Sequence, residues 1–202
     1  MKFPLPLVFF GSALFAITAL ATEPDSLKEK ISDFSPDKKF ALRTSYDPAI
    51  DDGSNGSISK DAIKSVEVIA LPDKKVVATL VEGNDGGDIG SIEGKIVWSS
   101  DAKWFAYGVS EGHRVIETSA YHWKGDKFEP LQTENLSVDP GGDARNQYIT
   151  PLRWTKPGTL VLKEFTIFYY NKGDSTFEFT VRFDDAGKFN VINRKKVKSR
   201  DE

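Results

Sequence analysis

The chain has 202 residues, of which 39% are hydrophobic and 28% are charged, and its formal net charge is −3. This composition is typical of a folded globular protein and excludes a disordered chain. The acidic balance also argues against a nucleic-acid-binding protein, because such proteins need a basic face that neutralises phosphates.

The N-terminal residues 1–21 have the pattern of a secretory leader. Lys2 supplies a positive charge, residues 7–20 form an uncharged apolar run, and Ala19-Leu20-Ala21 is a small-residue cleavage site. The apolar run is shorter than the roughly 20 residues of a membrane span. The sequence therefore predicts a cleavable signal peptide, a mature protein that begins at Thr22, and no membrane span after cleavage. Because the chain has no cysteine for disulfide bonds or lipid attachment, we expect it in a bacterial periplasm or outside a bacterial cell.

Two short segments flank a long β-patterned region. Residues 22–33 show only weak helical spacing and are predicted to form a short helix or an irregular N-terminal arm. From residue 34 onward, apolar and polar residues alternate with the period of two that is typical of strands, most clearly over residues 177–183. Residues 194–202 form a locally basic tail, which we interpret as a solvated terminus.

Three segments repeat the order of an apolar residue, a polar turn and an apolar strand. They are residues 34–42, residues 98–106 and, more loosely, residues 154–162. A second hairpin follows each segment, with turns rich in Asp, Pro and Gly, which preset or tolerate turn dihedrals. The sequence therefore predicts one all-β domain over residues 34–193. It consists of three tandem four-stranded antiparallel meanders, at approximately 34–93, 94–147 and 148–193.

The repeat resembles that of a known family. An apolar residue followed by Ser35-Pro36-Asp37, a basic residue and an apolar strand resembles the repeat of TolB-type, WD40-like β-propellers. The glycine that usually follows the Asp in that family is replaced by Lys38 in the first repeat and by Ala102 in the second. Single-chain propellers typically have at least about four blades. The resemblance therefore implies an open arc or partial propeller; a homodimer that shares one ring and a β-sandwich of the same strands are the alternatives.

The connections of these meanders differ in charge according to the end of the sheet at which they lie. The tight turns hold six acidic and nine basic residues, at 35–39, 72–75, 99–103, 124–127, 155–158 and 184–188. The longer links hold thirteen acidic and four basic residues, a net of −9, at 44–61, 82–93, 108–114, 134–147 and 171–175. Successive connections of a meander alternate between its two ends. The links therefore form one acidic, Gly-rich face.

Long Gly-rich loops often carry ligand contacts, and a field of one sign attracts cations or basic partners. The candidate ligand-binding residues are Asp85, Asp88, Asp139, Asp143, Asp51 and Asn55. The segment from Asp51 to Asp61 also half-matches a calcium loop, although Ala62 stands where a bidentate carboxylate would close the shell. A simple turn on Asn55-Gly56 is therefore the favoured interpretation, with weak Ca2+ binding between Asp51 and Asp61 as the alternative. No other metal or cofactor is expected.

Residues 108–112, Gly-Val-Ser-Glu-Gly, have the spelling of a serine-hydrolase nucleophile motif. That motif requires a turn from a strand into a helix, whereas strand patterns lie on both sides of Ser110. No catalytic residue is assigned, and the four tryptophans are expected in the core.

The sequence therefore favours an exported, non-enzymatic binding or scaffold module. It would use its acidic link face toward a protein or another cell-envelope component, with no nucleic-acid partner. The alternative is a small periplasmic hydrolase that acts on glycan or peptide through loop carboxylates.

Overall fold

The computed structural model describes residues 27–51, 58–82, 94–111, 114–131 and 136–197. These ranges contain twelve strands: β1 Lys28–Ser32, β2 Phe40–Tyr46, β3 Ile63–Ala70, β4 Lys75–Glu82, β5 Lys95–Trp98, β6 Trp104–Glu111, β7 Val115–Trp123, β8 Phe128–Pro130, β9 Ala144–Lys156, β10 Thr159–Phe168, β11 Asp174–Phe183 and β12 Phe189–Lys196. Two short 3₁₀ helices, Lys60–Ala62 and Tyr169–Asn171, lie in connections. In the described ranges, no helix has the length and apolar character that a membrane crossing requires.

The strands form three antiparallel meanders of four strands each, as predicted, and the sheets do not close into a barrel. We call them blade 1 (β1–β4), blade 2 (β5–β8) and blade 3 (β9–β12). A short parallel pairing, with Val115 opposite Gln147 and Ile116 opposite Tyr148, joins blades 2 and 3. Strand β8 pairs with the other end of β7, where Tyr121 lies opposite Pro130. The all-β class is therefore confirmed.

Two segments at the ends of the domain differ from their predictions. Lys28–Ser32, within the predicted helix or irregular arm, is a strand that pairs with β2 and places Ile31 opposite Arg43. Strand β12 extends to Lys196, so the first residues of the predicted solvated tail belong to blade 3. Both are polar edge strands, whose form comes from pairing with a neighbour rather than from their own alternation.

Blade 2 is packed on both faces because its strands alternate with a period of two. Phe105 and Tyr107 point toward blade 1, where they join a cluster that includes Val66 and Val68. Ala106 and the same-facing residues of β7 join a second cluster with Leu160, Phe179 and Val181 of blade 3. Blade 2 is therefore the middle layer of the domain.

The first repeat begins with a turn that is closed by its own side chains. The Ser35 hydroxyl donates to Asp37 Oδ1 at 2.8 Å and accepts the Phe40 N–H at 3.0 Å. Asp37 Oδ1 also accepts the Lys39 N–H at 3.1 Å. Burial raises the pKa of Asp37, but the hydrogen bonds from Ser35 and Lys39 and the charge of Lys39 outweigh it and leave this pKa lowered.

The second repeat contains the same turn. Ser99 donates to Asp101 Oδ1 at 2.6 Å and accepts the Trp104 N–H at 3.0 Å, and Asp101 Oδ1 accepts the Lys103 N–H at 3.1 Å. Each hydrogen bond of the first turn thus has its counterpart 64 residues later. The sequence repeat is therefore also a structural repeat.

One backbone conformation is shared by all three repeats. Lys38, Ala102 and Gly158 occupy equivalent positions and have φ of 59°, 55° and 66°. A left-handed residue is needed here to reverse the chain, and only glycine adopts that region without steric strain. The third repeat keeps the glycine but has Pro157 in place of the Asp that closes the other two turns.

The two joints between blades are also alike. The indole N–H of Trp98 in blade 2 donates to the Asp33 carbonyl of blade 1 at 2.8 Å. The indole N–H of Trp154 in blade 3 donates to the Val97 carbonyl of blade 2 at 3.0 Å. Since Trp154 is the counterpart of Trp98, and Val97 that of Asp33, one contact is used twice to fix neighbouring blades.

All tight turns lie at one end of the domain. Strands β7 and β9 run parallel, so the turns that follow them lie together. The contact between Trp98 and Asp33 adds the turns of blade 1 to this end. We call it the tight-turn end and the opposite one, which carries the longer connections, the link end.

Candidate functional site

Three of the six predicted ligand residues lie within the described ranges. Asp51 belongs to blade 1, whereas Asp139 and Asp143 lie in the link between β8 and β9. All three are at the link end, as predicted. Asp85, Asp88 and Asn55 lie outside the described residues.

The link between β8 and β9 is anchored in the core before it reaches the surface. Leu136 is fully buried and Val138 is 9% exposed, and both pack in the cluster between blades 2 and 3. The chain then emerges at Asp139, which is exposed. The exposed part of this link therefore begins at an anchored residue, Val138.

A buried carboxylate binds the backbone at Val138. Glu164 of β10 is fully buried, and its Oε2 accepts the Val138 N–H at 3.0 Å. Its Oε1 accepts the Gln147 side-chain amide at 2.8 Å and the Thr166 hydroxyl at 3.3 Å. Burying a carboxylate is favourable only when its oxygens are hydrogen-bonded, as they are here. Glu164 thus links the connection to two strands of blade 3.

Beyond Val138 the link forms a tight turn. Asp139 Oδ1 accepts the Gly141 N–H at 2.9 Å, and Gly141 has a φ of 84°, which favours glycine. The Asp139 carbonyl also accepts a hydrogen bond from the Arg194 guanidinium of β12. The turn is therefore tied both to itself and to the last strand of the blade.

The next link, between β10 and β11, packs against this turn. The Tyr169 N–H donates to the Asp143 carbonyl at 3.1 Å. A Cβ built at Gly142 would lie 3.3 Å from the Phe168 ring, so the ring covers the backbone there. The two links therefore form one continuous surface.

That surface exposes aromatic side chains that the sequence analysis did not select. Tyr169 is 42% exposed and Tyr170 is 83% exposed, and their rings lie 6.0 Å apart. Tyr170 has a φ of 60°, an unusual conformation for a residue other than glycine. We call Asp139, Asp143, Tyr169 and Tyr170 the blade-3 rim. The available signal was a pair of adjacent tyrosines immediately before the predicted link at 171–175, where small polar residues are usual.

The segment around Asp51 is organised by hydrogen bonds to its own backbone. Asp51 Oδ1 accepts the Ser59 N–H at 3.0 Å, and the Asp47 N–H donates to the Ala62 carbonyl at 2.8 Å. Ala62 is fully buried. Within the described ranges, no group of three or more potential ligands is placed to hold a metal ion. The predicted turn on Asn55-Gly56 and the alternative of weak Ca2+ binding both lie largely outside those ranges, because residues 52–57 are not described.

The serine of the hydrolase-like motif lies in a regular strand. Ser110 is part of β6 and faces Ile116 of β7 across the ladder. His122 lies at the opposite, tight-turn end, where its ring stacks on Trp104 with centroids 3.8 Å apart. Burial lowers the pKa of His122, and the nearby charges of Lys124 and Lys103 lower it further. The strand-to-helix turn that the motif requires is therefore absent at Ser110.

Comparisons with known proteins give a limited result. No protein-family model matches the chain, and no curated protein matches it. Among solved structures, the chain is similar to the crystal structure of TolB from Acinetobacter baumannii, with 10% sequence identity and a TM-score of 0.33. The match covers 83% of this chain and 40% of that one, so the chain spans less than half of that protein.

Proposed function

We propose that the protein is an exported, non-enzymatic binding module that captures a protein or another cell-envelope component with its link end. The observation that carries the proposal is the blade-3 rim. Two links are hydrogen-bonded to each other and to the core, yet they expose two tyrosines and two carboxylates. Export rests on the predicted signal peptide over residues 1–21, and the proposed location is the periplasm or the cell exterior.

The order of this surface supports binding. A loop that is already fixed loses little conformational entropy when a partner docks, so more of the contact energy contributes to affinity. Tyrosine provides a large contact area with few rotatable bonds, and it is frequent at binding hot spots. The rim has both properties because Glu164 and the Tyr169 N–H hold it from below.

The charge of the rim indicates the kind of partner. Asp139 and Asp143 are exposed carboxylates of the rim, and the connections that the sequence predicts for this end carry a net charge of −9, these two residues included. Such a field speeds encounter with a basic surface and disfavours an acidic one. We therefore propose a partner that presents Lys or Arg beside an apolar or planar group that can pack on Tyr170.

The test is a comparison of two charge reversals. The variants are Asp139→Lys with Asp143→Lys at the rim, and, as a matched control, Asp126→Lys with Asp185→Lys at the tight-turn end. Each immobilised variant is used to capture proteins from a bacterial periplasmic extract, which are quantified by mass spectrometry. We expect the rim variant, and separately Tyr170→Ala, to weaken capture about tenfold or more.

The control reversal should leave capture unchanged within about twofold, because it alters net charge equally but lies at the other end. Equal losses in the rim and control variants would show that net charge alone is responsible. Unchanged capture by the rim variant and by Tyr170→Ala would exclude the rim as the binding surface. Matched unfolding curves confirm that all variants are folded.

A further inference from the structure

The last strand of the domain has an open edge. β12 pairs with β11 on one side, and no other strand of the described ranges pairs with its second side. Every residue of β12 after Phe189 is exposed. A strand edge of this kind presents backbone N–H and C=O groups that can pair with an additional strand.

β12 has two chemically different halves. Val191 and Ile192 are 42% and 47% exposed, although they are large apolar residues. Arg194, Lys195 and Lys196 follow after Asn193 and carry only positive charge. Neither lysine forms an ion pair with a carboxylate of the described residues. The edge therefore offers an apolar contact beside two lysines, of which Lys195 lies opposite Glu178 of β11 and Lys196 opposite Phe177.

Other edge strands of the domain differ in charge. β1 carries both signs, and its Glu29 pairs with Lys74 at 3.0 Å and with Arg43 at 3.2 Å. β4 begins with Lys75 and ends with Glu82. Lysines on an edge disfavour pairing with a second copy of the same strand, because like charges then meet, and this protection is weaker in a mixed strand such as β1. A strand with one sign of charge selects instead for a partner of the opposite sign.

Arg194 makes this edge rigid. Its guanidinium lies 3.9 Å from the centroid of the Phe177 ring on β11 and donates to the Asp139 carbonyl of the neighbouring link. Both contacts hold the middle of β12 against the blade. An incoming strand would therefore find a template whose position is already fixed.

We propose that the β12 edge binds an extended acidic segment of a partner protein as an additional strand of blade 3. Apolar side chains of that segment pack against Val191 and Ile192, and its carboxylates lie beside Lys195 and Lys196. Because consecutive strand residues point to opposite faces, the two lysines together select consecutive carboxylates rather than alternating ones. This ligand is opposite in charge to the one proposed for the blade-3 rim, although the two surfaces adjoin where Arg194 contacts the Asp139 carbonyl.

The probe is a fluorescein-labelled synthetic peptide of alternating Val and Thr that ends in consecutive Glu residues. Binding to the full chain is followed by fluorescence anisotropy. We expect saturable binding that Lys195→Glu with Lys196→Glu weakens at least about tenfold, since both cross-strand charge pairs become repulsive. The matched control, Lys75→Glu with Lys95→Glu, makes the same charge change on β4 and β5 and should alter binding by less than about twofold.

Two further measurements separate strand addition from simple charge attraction. A peptide of the same charge with Pro in place of every second Val lacks the N–H groups for a ladder and should not bind. Hydrogen exchange should slow in β12 on peptide addition and stay unchanged in β4. The proposal is overturned if the unsubstituted protein does not bind the Val-Thr peptide. It is also overturned if the Pro peptide binds equally well, or if both lysine double variants lose binding equally.

Light scattering of the protein alone tests whether a second copy of the chain occupies this edge. We expect no dimer that depends on β12. A dimer that Lys195→Glu with Lys196→Glu dissociates would assign the edge to a second copy and would overturn the proposed acidic partner.

Discussion

The two ends of the blades are built from contacts of different range. At the tight-turn end, Ser35, Asp37 and Phe40 bond to one another within five residues, and the second repeat copies this arrangement. At the link end, Val138 bonds to Glu164 across 26 residues and Arg194 reaches Asp139 across 55. The turns of the first two repeats are therefore specified locally, whereas the anchoring of the β8–β9 link is specified only once the blade has formed.

This difference explains why the link end is the end suited to bind a partner. Local turns preserve the meander whatever lies at the far end, so the links are free to carry side chains chosen for contact with a partner. The hydrogen bonds at the joints between blades span 65 and 57 residues, unlike the turns beside them. Trp98 and Trp154 both lie at the tight-turn end, where they stabilise the packing of neighbouring blades. The link end joins blades 2 and 3 through the parallel pairing of Val115 with Gln147, and Glu164 anchors the link that follows β8.

The first prediction tests the tight-turn end and has the largest effect. Trp98→Ala should destabilise the protein by about 3 kcal/mol, because it empties the space between Phe40, Phe105 and Phe128. Urea unfolding at constant pH measures the change. Trp98→Phe keeps most of the ring and removes only the hydrogen bond to Asp33, so it should cost about 1 kcal/mol. A loss below about 1 kcal/mol for Trp98→Ala would show that this joint does not hold blade 1 on blade 2.

The second prediction tests the anchor of the link end. Glu164→Gln keeps the shape of the side chain but turns one acceptor into a donor, which then faces the Val138 N–H or the Gln147 amide. A buried donor without an acceptor costs about 2 kcal/mol. Hydrogen exchange of the Val138 amide should therefore rise more than exchange in blade 1.

The control for this prediction is Glu178→Gln. Glu178 of β11 is half-buried and pairs with Arg153 at 3.2 Å on the solvent side of the blade. Loss of an exposed pair of this kind should change stability by less than about 0.5 kcal/mol. If Glu164→Gln proves equally mild, the buried carboxylate is not what fixes the link.

The same contrast in range decides what the sequence could predict. The repeats, the strand alternation and the positions of the tight turns were correct, because each depends on residues close together in the chain. The residue equivalent to the family's glycine was identified at Lys38 and Ala102, and both are left-handed in the structure. The relation of Glu164 to Val138 could not be predicted, because it depends on how β10 and the link meet in space.

The errors have related causes. Lys28–Ser32 and Arg194–Lys196 lack an alternating pattern of their own, and their strand form depends on β2 and β11. Tyr169 and Tyr170 were missed because aromatic residues after a strand are usually counted with its core. Only the 3₁₀ turn at their position directs them to the surface. Asp139 and Asp143 were selected by charge alone, and the tyrosines beside them were not.

The third prediction uses the left-handed position that all three repeats share, and its effects are the smallest. Lys38 is exposed, so Lys38→Gly should remove backbone strain and stabilise the protein by about 0.5–1 kcal/mol. Ala102 is only 1% exposed, and Ala102→Gly should be nearly neutral because the strain relieved is offset by the loss of a buried methyl group worth about 0.8 kcal/mol. Gly158→Ala should destabilise by about 1 kcal/mol, since it introduces the same strain beneath the Trp104 ring.

Thermal unfolding of the three variants measures this order, and about 1 kcal/mol corresponds to ~2–4 °C in a domain of this size. The signs are more informative than the magnitudes. If the three turns are equivalent, substitution by glycine must stabilise the protein at the exposed Lys38 and have little effect on stability at the buried Ala102. The reverse change must be unfavourable at Gly158, where glycine is already present. A destabilising Lys38→Gly would mean that the Lys38 side chain, rather than the shared backbone geometry, determines the first turn.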